Sequence, residues 1–439
     1  MATVSTPLRA ATSLLTDQYE LTMLAAALAD GSAARDCSFE VFARRLPPGR
    51  RYGVVAGTAR LLDALAEFRF AEPELEVVAA FSDERTLNWL REFTFGGDID
   101  GYREGELYFP GSPILTVRGS FAECVVLETL ILSILNHDSA IASAAARMVS
   151  AAGGRQLIEM GSRRTHELAA PASARAAYLA GFDATSNLEA VRSFGIPGAG
   201  TSAHAFTLLH SGSDGAHEAA AFRSQIETLG LGTTLLVDTY DIAQGVATAI
   251  EVAGPELGAV RIDSGDLGVM ARQVREQLDA LGAVRTRIVV SGDLDEYAIA
   301  ALRAEPVDSY GVGTALVVGS GAPTAGMVYK LVEVQGRPVA KRSSHKESRG
   351  GTKRAVRLSR RSGTIVEELV LRAGQDAPAQ EAFTVRDLQI PLVRGGKPVA
   401  DLPTLAQSRE LVARGLISLP WEGLKLSAGE PAIPTTFLQ

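Results

Sequence analysis

The stretch GAVRIDSGDLGVMARQVREQLDALGAVRTRIVVSGD, residues 258–293, decides the fold because it holds two strand-like runs with a helical segment between them. Each apolar run, AVRI and RIVV, is continuous and leads into a cluster of Ser, Gly and Asp. Continuous apolar runs indicate strands that are buried on both faces, and regular alternation of strand and helix is typical of a parallel sheet. The stretch therefore predicts parallel strands joined by a helix.

The same pattern recurs between about residue 155 and residue 320. The seven runs are QLIEMGSRR, GFDATSN, GAGTSAH, TLLVDTYD, AVRIDSGD, RIVVSGD and VDSYGVGT. Seven such units predict a TIM-like α/β barrel that is irregular or incomplete. In that architecture the active site lies at the carboxyl ends of the strands, so the polar clusters should converge on one mouth.

The flanking segments mix helices and strands in a different way. Helical stretches accompany the strand-like SFEVFARRL near the N-terminus, and segments such as MVYKLVEVQGRPVAKRSS follow the barrel. We expect an α+β domain built from residues 1–120 and 328–439, with the barrel in residues 121–327. The long apolar region that starts at residue 120, SFAECVVLETLILSILNHDSAIASAAARMVSAAGG, is interpreted as a connecting core helix.

Composition and charge limit the possible partners. The chain has 439 residues, of which 46% are hydrophobic and 21% charged, as in ordinary globular enzymes. A formal net charge of -8 argues against a nucleic-acid surface. Cys37 and Cys124 are too few for a disulfide framework or a thiolate metal site. The run VVLETLILSIL is short and contains Glu128, so we expect a cytoplasmic protein with no membrane association.

Polar clusters with suitable chemistry for a phosphorylated sugar follow four of the predicted strands. They are Asp238 and Asp241 in DTYD, Arg261, Asp263 and Asp266 in RIDSGD, Gly292 and Asp293 in SGD, and Gly311, Gly313 and Thr314 in GVGT. Carboxylates can accept hydrogen bonds from ribose hydroxyls, and glycine-rich turns present backbone N–H groups to phosphate. The candidate basic partners are Arg44, Arg45, Arg163, Arg164 and Arg261.

One histidine, His204, follows the small-residue turn in GAGTSAHAF, residues 198–206. Glycine and small hydroxyl residues make a backbone that a ligand can approach closely. Taken alone, this window favours a structural histidine, since His has an intermediate preference for burial. The remaining histidines are interpreted as structural or solvent-facing: His137, His166, His210, His217 and His345.

The ordered motifs resemble the nicotinate phosphoribosyltransferase family, which is related to nicotinamide and quinolinate phosphoribosyltransferases. The motifs are TDQYELTM, FEVFARRLP, MGSRR, GFDATSN, GTSAHAF, VDTYDI, RIDSGDL, SGDLDEY and GVGT, between about residue 13 and residue 346. The resemblance implies transfer of a phosphoribosyl group from phosphoribosyl pyrophosphate to nicotinate in NAD biosynthesis. It also implies that ATP hydrolysis is coupled through a phosphohistidine and that the enzyme is a homodimer with shared active sites.

The resemblance also implies a role for individual residues. His204 matches the phosphorylated histidine, and Asp238 would orient it. The implied nicotinate contacts are Tyr19 from the partner subunit, Arg163, Asp183, Thr201 and Arg261. The implied phosphoribosyl contacts are Arg44, Arg261, Asp263, Gly292, Asp293, Gly311, Gly313 and Thr314. Met160 stands where relatives often have a ring-stacking Phe, and His137 also departs from the family pattern.

Mg²⁺ is expected as an ion carried by the diphosphate, with no dedicated carboxylate cage in the protein, and ATP as a coupling substrate. Three purely structural interpretations stay open: Tyr19 could pack on a helix, Arg163 and Arg164 could be surface charges, and Asp241 could cap a helix.

Alternative functions also stay open. A nicotinamide-preferring enzyme needs no cation for its neutral amide, so Arg163 and Arg164 favour the acid. Quinolinate, with a second carboxylate, calls for more cations than MGSRR and Arg261 supply. A non-catalytic nucleotide-binding barrel could keep the glycine turns but has no reason to keep His204 together with Asp238.

Overall fold

The structure is a computed structural model that describes residues 11–211, 218–341, 349–378 and 381–438. The expectations for His217 and His345 lie outside the described residues. In chain order the strands are β1 (Asp36–Ala43), β2 (Gly53–Val54), β3 (Asp98–Tyr102), β4 (Leu107–Tyr108), β5 (Leu115–Ser120), β6 (Gln156–Glu159), β7 (Ala184–Thr185), β8 (Thr234–Leu236), β9 (Ala259–Ile262), β10 (Arg287–Ser291), β11 (Ser309–Val312), β12 (Met327–Val334), β13 (Arg337–Pro338), β14 (Lys353–Ser359), β15 (Ile365–Arg372), β16 (Thr384–Asp387), β17 (Gln389–Arg394), β18 (Lys397–Pro398) and β19 (Thr435–Phe437).

The helices are α1 (Gln18–Asp30), α2 (Thr58–Ala66), α3 (Glu72–Val78), α4 (Glu84–Arg91), α5 (Phe121–Val125), α6 (Glu128–Ala152), α7 (Ala170–Ala180), α8 (Leu188–Phe194), α9 (His204–Leu209), α10 (Glu218–Leu229), α11 (Ile242–Ala253), α12 (Leu267–Ala280), α13 (Glu296–Leu302), α14 (Thr314–Val317) and α15 (Leu405–Ser418).

Contacts between residues divide the chain into two compact units, a central unit of residues 143–323 and a flanking unit of residues 1–142 and 324–439. The sequence placed the boundaries at residues 121 and 327, whereas the division falls after Ala142, inside α6, and after Pro323. The reason for the first difference is packing, because Leu130 and Ile134 on the first turns of α6 are buried in the core of the flanking unit.

The flanking unit is an α+β arrangement. Its seven-stranded sheet has the order β13-β12-β1-β5-β3-β17-β18, and the paired strands within it are antiparallel. A second sheet has the order β16-β14-β15-β19. The core includes Phe39 and Tyr329, whose rings stack with centroids 4.8 Å apart. In the second sheet, Arg357 is buried and donates to both Glu106 and Glu368 at 2.6 Å.

The central unit is an α/β arrangement around one parallel sheet. Six strands pair in the order β7-β6-β11-β10-β9-β8, and every pair is parallel. All four residues of β9 and all four of β11 are buried. This pattern confirms the interpretation of continuous apolar runs as strands covered on both faces.

The described strands form an open sheet with β7 and β8 at its edges, so the complete TIM-like barrel remains a prediction. The run GAGTSAH was predicted as one of the seven strand-and-helix units. It is irregular, and among the described residues it joins the sheet only through an isolated bridge between Gly198 and Thr185. Its residues are small, and such residues gain little from the packing that stabilises a buried strand.

The long apolar helical region meets a simple length and composition test for a membrane span over Phe121–Ala152, the one such stretch among the described residues. Of its most apolar window, 67% is buried inside the protein. Ala142 and Ala145 on α6 are fully buried, for example. This burial is the usual pattern of a core helix, as the sequence predicted.

Candidate active site

The parallel sheet of the central unit brings several loops to one edge. Because β6, β9, β10 and β11 run in the same direction, the loops that follow them lie at the same edge of the sheet. These loops begin with Met160, Asp263, Gly292 and Gly313. Ligands of parallel α/β folds bind at this carboxyl edge.

Two cavities lie at this edge and share four lining residues, Met160, Arg163, Arg261 and Asp263. The first cavity, of about 300 Å³, is also lined by Ser162, Ser186, Ala199, Gly200, Thr201, Ser202, Ala203, His204 and Leu236. The second, of about 220 Å³, is also lined by Arg164, Ser291, Gly292, Asp293, Gly311, Gly313 and Thr314. We call them the histidine cavity and the glycine cavity.

Arg261 is held in place by neighbouring polar groups. Its Nε donates to Ser291 Oγ at 2.8 Å, and its terminal nitrogens donate to Thr201 Oγ1 and Asp263 Oδ1, both at 3.3 Å. Ser291 Oγ in turn donates to Asp263 Oδ1 at 2.5 Å. Arg163 differs, since it is exposed and pairs with no carboxylate in the described part of the chain. Arg163 is therefore available to meet an anionic ligand, and so is Arg164, which is also exposed and has no carboxylate partner among the described residues.

Asp238 connects two loops to the imidazole of His204. Its Oδ2 accepts from the Asp263 backbone N–H at 2.8 Å and from the Ser264 hydroxyl at 2.7 Å. Its Oδ1 is buried without a hydrogen-bond partner among the described residues and lies 4.0 Å from His204 Nε2. On the other side of the ring, His204 Nδ1 lies 3.2 Å from Thr239 Oγ1.

A second carboxylate also faces His204. Asp263 Oδ2 lies 4.0 Å from His204 Nε2, so this nitrogen has carboxylates on two sides. The His204 side chain is 41% exposed, which leaves the ring accessible from the histidine cavity. The arrangement favours a proton on Nε2 and an electron pair on Nδ1, which can accept a hydrogen bond from the Thr239 hydroxyl.

Two glycines of the glycine cavity lie where an added Cβ would approach neighbouring atoms closely. Gly292 has φ +100°, and a Cβ there would lie 2.7 Å from the carbonyl oxygen of Asp263. The next residue, Asp293, also has a positive φ, 24°, which is uncommon outside glycine. A Cβ on Gly311 would lie 2.6 Å from the sulfur of Met160. The turn and the strand surface are thus shaped by the absence of side chains.

An additional acidic residue lies near Asp238. Glu218, the first residue of α10, is buried, and its Oε1 has no hydrogen-bond partner among the described residues. Burial, together with the negative charges of Asp238 and Asp241, raises the pKa of Glu218 to about 7. Asp241 itself caps α11 by accepting from the Gln244 N–H at 2.8 Å. This is the structural role, a helix cap, that the sequence left open for it.

Most of the predicted site residues meet at the two cavities, and Asp238 contacts them. Those that line a cavity are Arg163, Thr201, His204, Arg261, Asp263, Gly292, Asp293, Gly311, Gly313 and Thr314. Asp183 does not line either one; its carboxylate accepts from the Leu157 N–H at 2.9 Å, close to the start of β6. Its nicotinate role stays a prediction without support from this geometry.

Two predicted site residues belong to the flanking unit. Tyr19 lies on α1 and is 45% exposed, and partial burial together with the charge of Glu128 raises the pKa of its hydroxyl. Arg44 directly follows β1, and its Nε is buried without a hydrogen-bond partner among the described residues. Their assignments to nicotinate and to the phosphoribosyl group stay predictions.

Sequence reasoning missed several polar residues that hold the site together. Ser291, Ser264 and Thr239 contact predicted site residues through their hydroxyl groups. All three belong to motifs that were singled out, SGD, RIDSGD and DTYD, so their position beside the named residues was the available signal. Glu159 lies in the run QLIEMGSRR, directly before MGSRR, and its position there was likewise the available signal.

The fold and the two cavities define a class, an α/β protein with adjoining cavities at the carboxyl edge of a parallel sheet and a histidine on the wall of one of them. Family models of nicotinate phosphoribosyltransferase match the chain, with the N-terminal domain model over residues 14–136 and the family model over residues 155–365. The chain belongs to the nicotinate phosphoribosyltransferase family.

Individual relatives agree with this assignment. A nicotinate phosphoribosyltransferase of Mycobacterium tuberculosis is 71% identical over 425 residues, which cover 96% of this chain and 94% of that protein. The human nicotinate phosphoribosyltransferase is 32% identical, with coverage of 95% and 93%. A crystal structure of human nicotinic acid phosphoribosyltransferase superposes with a TM-score of 0.80 at 27% identity, covering 96% of this chain and 97% of that one.

Proposed function

We propose that this enzyme transfers the phosphoribosyl group of phosphoribosyl pyrophosphate to nicotinate, giving nicotinate mononucleotide and diphosphate in NAD biosynthesis. The observation that carries the proposal is the pair of adjoining cavities with an unpaired Arg163 on their shared wall. Of the five residues assigned to nicotinate, Arg163, Thr201 and Arg261 line the histidine cavity, whereas Tyr19 and Asp183 line neither cavity. The five glycine-turn residues assigned to the phosphoribosyl group line the glycine cavity: Gly292, Asp293, Gly311, Gly313 and Thr314.

The transfer joins the two ligands where the cavities meet. The ring nitrogen of nicotinate supplies the electron pair for the new bond to C1 of the ribose, while the bond from C1 to the diphosphate oxygen breaks. Positive charge develops on the ribose and negative charge on the leaving diphosphate, so fixed charges and orientation matter more than a strong base. Arg163 would orient the nicotinate carboxylate, and backbone N–H groups of the glycine turns would hold the phosphate.

ATP coupling through His204 is part of the proposal. With its proton on Nε2, facing Asp238 and Asp263, the imidazole would give up the hydrogen bond between Nδ1 and the Thr239 hydroxyl and use the Nδ1 electron pair to attack the γ-phosphorus of ATP. The bond from that phosphorus to the bridging oxygen breaks, and ADP leaves with the electron pair. The carboxylates would stabilise the positive charge of the ring that forms.

The residues of the glycine cavity fit a Mg²⁺ ion carried by the diphosphate. Mg²⁺ prefers oxygen ligands and commonly binds through one or two carboxylates together with phosphate oxygens. Asp263 and Asp293 place carboxylates on the wall of this cavity, next to the glycine turns. When bound, the ion would neutralise part of the charge of the leaving diphosphate.

Arg163 also bears on the choice between nicotinate and nicotinamide. Arg261 already has hydrogen-bond partners in Ser291, Thr201 and Asp263, whereas Arg163 has no carboxylate partner among the described residues. An exposed guanidinium with no carboxylate partner binds a ligand carboxylate more strongly than a neutral amide. We therefore include the acid as the preferred substrate. A cytoplasmic location and a homodimer with shared active sites belong to the same proposal.

The test measures products by mass after incubation of the full chain with phosphoribosyl pyrophosphate, Mg²⁺ and nicotinate, with and without ATP. Parallel reactions contain nicotinamide or quinolinate. We expect nicotinate mononucleotide and diphosphate, formed faster with ATP. A faster reaction with nicotinamide would overturn the substrate assignment. The absence of any nucleotide product with nicotinate, nicotinamide and quinolinate would contradict the proposed activity.

A second comparison isolates the phosphohistidine. His204→Ala should abolish ATP hydrolysis and ATP stimulation but keep a slow transfer, because the ligands are still positioned. His210→Ala is the matched control, since His210 ends the same helix and contacts the Phe206 carbonyl at 2.9 Å. Acid-labile label from γ-labelled ATP should vanish only in His204→Ala, and label retained there would assign the phosphate to another residue.

A further inference from the structure

A buried carboxylate, Glu159, joins the two loops that flank the histidine cavity. Glu159 is the last residue of β6 and is only 1% exposed. Its Oε1 accepts from the Gly161 backbone N–H at 2.5 Å, and its Oε2 accepts from the Thr185 hydroxyl at 2.5 Å. Thr185 ends the neighbouring strand β7, so one side chain connects the chain after β6 to the chain after β7.

Further hydrogen bonds extend this connection to residues that line the cavity. The Ser186 N–H donates to the Glu159 carbonyl oxygen at 2.9 Å, and the Asn187 N–H donates to Thr185 Oγ1 at 3.0 Å. The Asn187 side-chain amide then donates to Ser162 Oγ at 3.0 Å. Ser162 and Ser186 line the histidine cavity and not the glycine cavity. The network therefore fixes one wall of the histidine cavity.

The turn beside Glu159 is also confined from the opposite side. A Cβ on Gly161 would lie 2.2 Å from the Val317 side chain, so this residue has no room to move toward α14. The Met160 N–H donates to the Val312 carbonyl at 2.8 Å, and the Arg164 N–H donates to the Gly161 carbonyl at 2.8 Å. Arg163 thus projects from a short turn whose backbone is held at several points.

The chemistry of Glu159 suggests a specific role for this arrangement. Burial raises the pKa of the Glu159 carboxyl, and a buried ionisable group is costly compared with a well-packed apolar residue. Neither of its oxygens contacts Arg163 or Arg261 by a hydrogen bond among the described residues. Its contacts go instead to the backbone and hydroxyl groups that shape the two loops. Its effect on a ligand must therefore be exerted through the positions of Arg163 and Ser162.

We propose that Glu159 is a positioning residue that holds the turn of Arg163 in register with the loop after β7, and thereby determines nicotinate affinity. The inference rests on the proposed function, since it assigns nicotinate to the histidine cavity. Loss of the carboxylate frees the Gly161 N–H and the Thr185 hydroxyl, so the Arg163 turn loses its side-chain connection to Thr185. The bonds from the Ser186 N–H to the Glu159 carbonyl and from Asn187 to Ser162 are retained and hold the turn less firmly alone. The turn after β10 keeps its own contacts, among them the hydrogen bond that Ser291 Oγ donates to Asp263 Oδ1 at 2.5 Å.

The experiment compares Glu159→Ala and Glu159→Gln with matched changes at Glu296. Glu296 is the control because it is also a buried carboxylate of the central unit, with 2% exposure. It accepts from Arg147 Nε at 3.0 Å and from Ser320 Oγ at 2.6 Å. Neither Arg147 nor Ser320 lines the histidine cavity or the glycine cavity. Each variant is measured for kcat, for both KM values, and for thermal stability with and without nicotinate.

We expect Glu159→Ala to raise the KM for nicotinate at least tenfold and the KM for phosphoribosyl pyrophosphate less than threefold. Glu159→Gln should recover most of the nicotinate affinity, because its oxygen can accept from Gly161 and its amide can donate to Thr185 Oγ1. The Glu296 variants should lower Tm without a selective change in the nicotinate KM. At one fixed nicotinate concentration, the rise in Tm should be clearly smaller for Glu159→Ala than for the Glu296 variants.

Two outcomes would overturn the inference. One is a nicotinate KM in Glu159→Ala that changes no more than in Glu296→Ala, and the other is an equal rise of both KM values. These outcomes are distinguishable from failure of the proposed function, in which the unmodified chain itself forms no nicotinate mononucleotide. Thr185→Val supplies an independent check, since it removes the same hydrogen bond from the other partner and should give the same selective rise.

Discussion

Oδ1 of Asp238 lies 4.0 Å from Nε2 of His204, while Oδ2 of the same carboxylate accepts two hydrogen bonds from the loop that carries Asp263. The Asp238 side chain is 0% exposed, so its charge is not weakened by direct contact with water. One carboxylate thus has two separable tasks. It fixes the loop after β9, and it sets the electrostatic environment of the imidazole.

Asp238→Asn separates these two tasks, because an amide oxygen can replace Oδ2 as an acceptor while the negative charge is lost. We expect phosphorylation of His204 to fall by roughly 10² or more, since the wrong tautomer is favoured and the cationic ring is no longer stabilised. ATP-independent transfer should fall much less. Asp241→Asn is the control, because Asp241 caps α11 and Asn caps a helix equally well. Equal loss of label in both variants would contradict the role of Asp238.

Arg163→Ala should weaken nicotinate binding much more than binding of phosphoribosyl pyrophosphate. A carboxylate that loses a charge-assisted partner loses roughly 1.5 to 3 kcal/mol, which corresponds to a KM increase of about 10- to 150-fold. Arg164→Ala is the comparison, because Arg164 lines only the glycine cavity and should mainly affect phosphoribosyl pyrophosphate. Equal losses for both substrates in Arg163→Ala would disprove its assignment to nicotinate.

The parallel sheet could be predicted because its signal is local. In the runs AVRI and RIVV every residue is apolar except Arg261 and Arg287. Apolar residues at successive positions fit strands that are covered on both faces. The glycines of SGD and GVGT could be predicted for the same reason. Gly292 has a positive φ, a backbone conformation that other residues rarely adopt. The glycine in the sequence therefore indicates the turn by itself.

Other features depend on contacts between distant segments, which a single sequence does not display. The role of Glu159 follows from the register that places Thr185 beside it, 26 residues further along the chain. The boundary inside α6 depends on which core its first turns enter. Asp183 looked like a site residue in its motif, yet its carboxylate bonds the Leu157 backbone. In each case tertiary packing decides among locally equivalent options.

Shared active sites predict complementation between inactive chains. Tyr19→Ala and His204→Ala should each be inactive or ATP-unresponsive alone, because one lacks the proposed ring contact and the other the proposed phosphorylation site. In a mixed dimer, one of the two composite sites has both native residues, so up to about half of the native activity should return per mixed dimer. In a random 1:1 mixture half of the dimers are mixed, so up to about a quarter should return overall. Subunit exchange is verified by mass. No recovery after verified exchange would place Tyr19 in its own chain's site or outside any site.

The carboxyl of Glu218 predicts a pH-dependent stability difference. Its pKa in the folded protein is about 7, against an ordinary value of 4.5, because of burial and the charges of Asp238 and Asp241. The folded state therefore binds more protons than the unfolded state between these two values, and its stability falls as pH rises through this window. Glu218→Gln should raise the free energy of unfolding relative to the native chain at pH 8 by on the order of 1 to 3 kcal/mol, with no such gain at pH 4.5.

Urea unfolding at both pH values checks this expectation. Glu227→Gln is the control, because Glu227 lies on the same helix and is exposed. The gain at pH 8 should appear only in Glu218→Gln. A gain of the same size at both pH values would mean that the Gln side chain packs better, and that the charge of Glu218 is not the cause.

Met160 and Gly311 should depend on each other in their effect on activity. A Cβ on Gly311 would lie 2.6 Å from the Met160 sulfur, and because the thioether is flexible it can turn away into the cavities it lines. Gly311→Ala should therefore lower kcat/KM for nicotinate by about tenfold while Tm changes little. In a Met160→Ala background the same substitution meets less obstruction and should cost less than threefold, a coupling that a double-mutant cycle measures directly. An equal loss in both backgrounds would show that Gly311 acts through its backbone, or through Ser291 on the adjacent strand, rather than by supporting Met160.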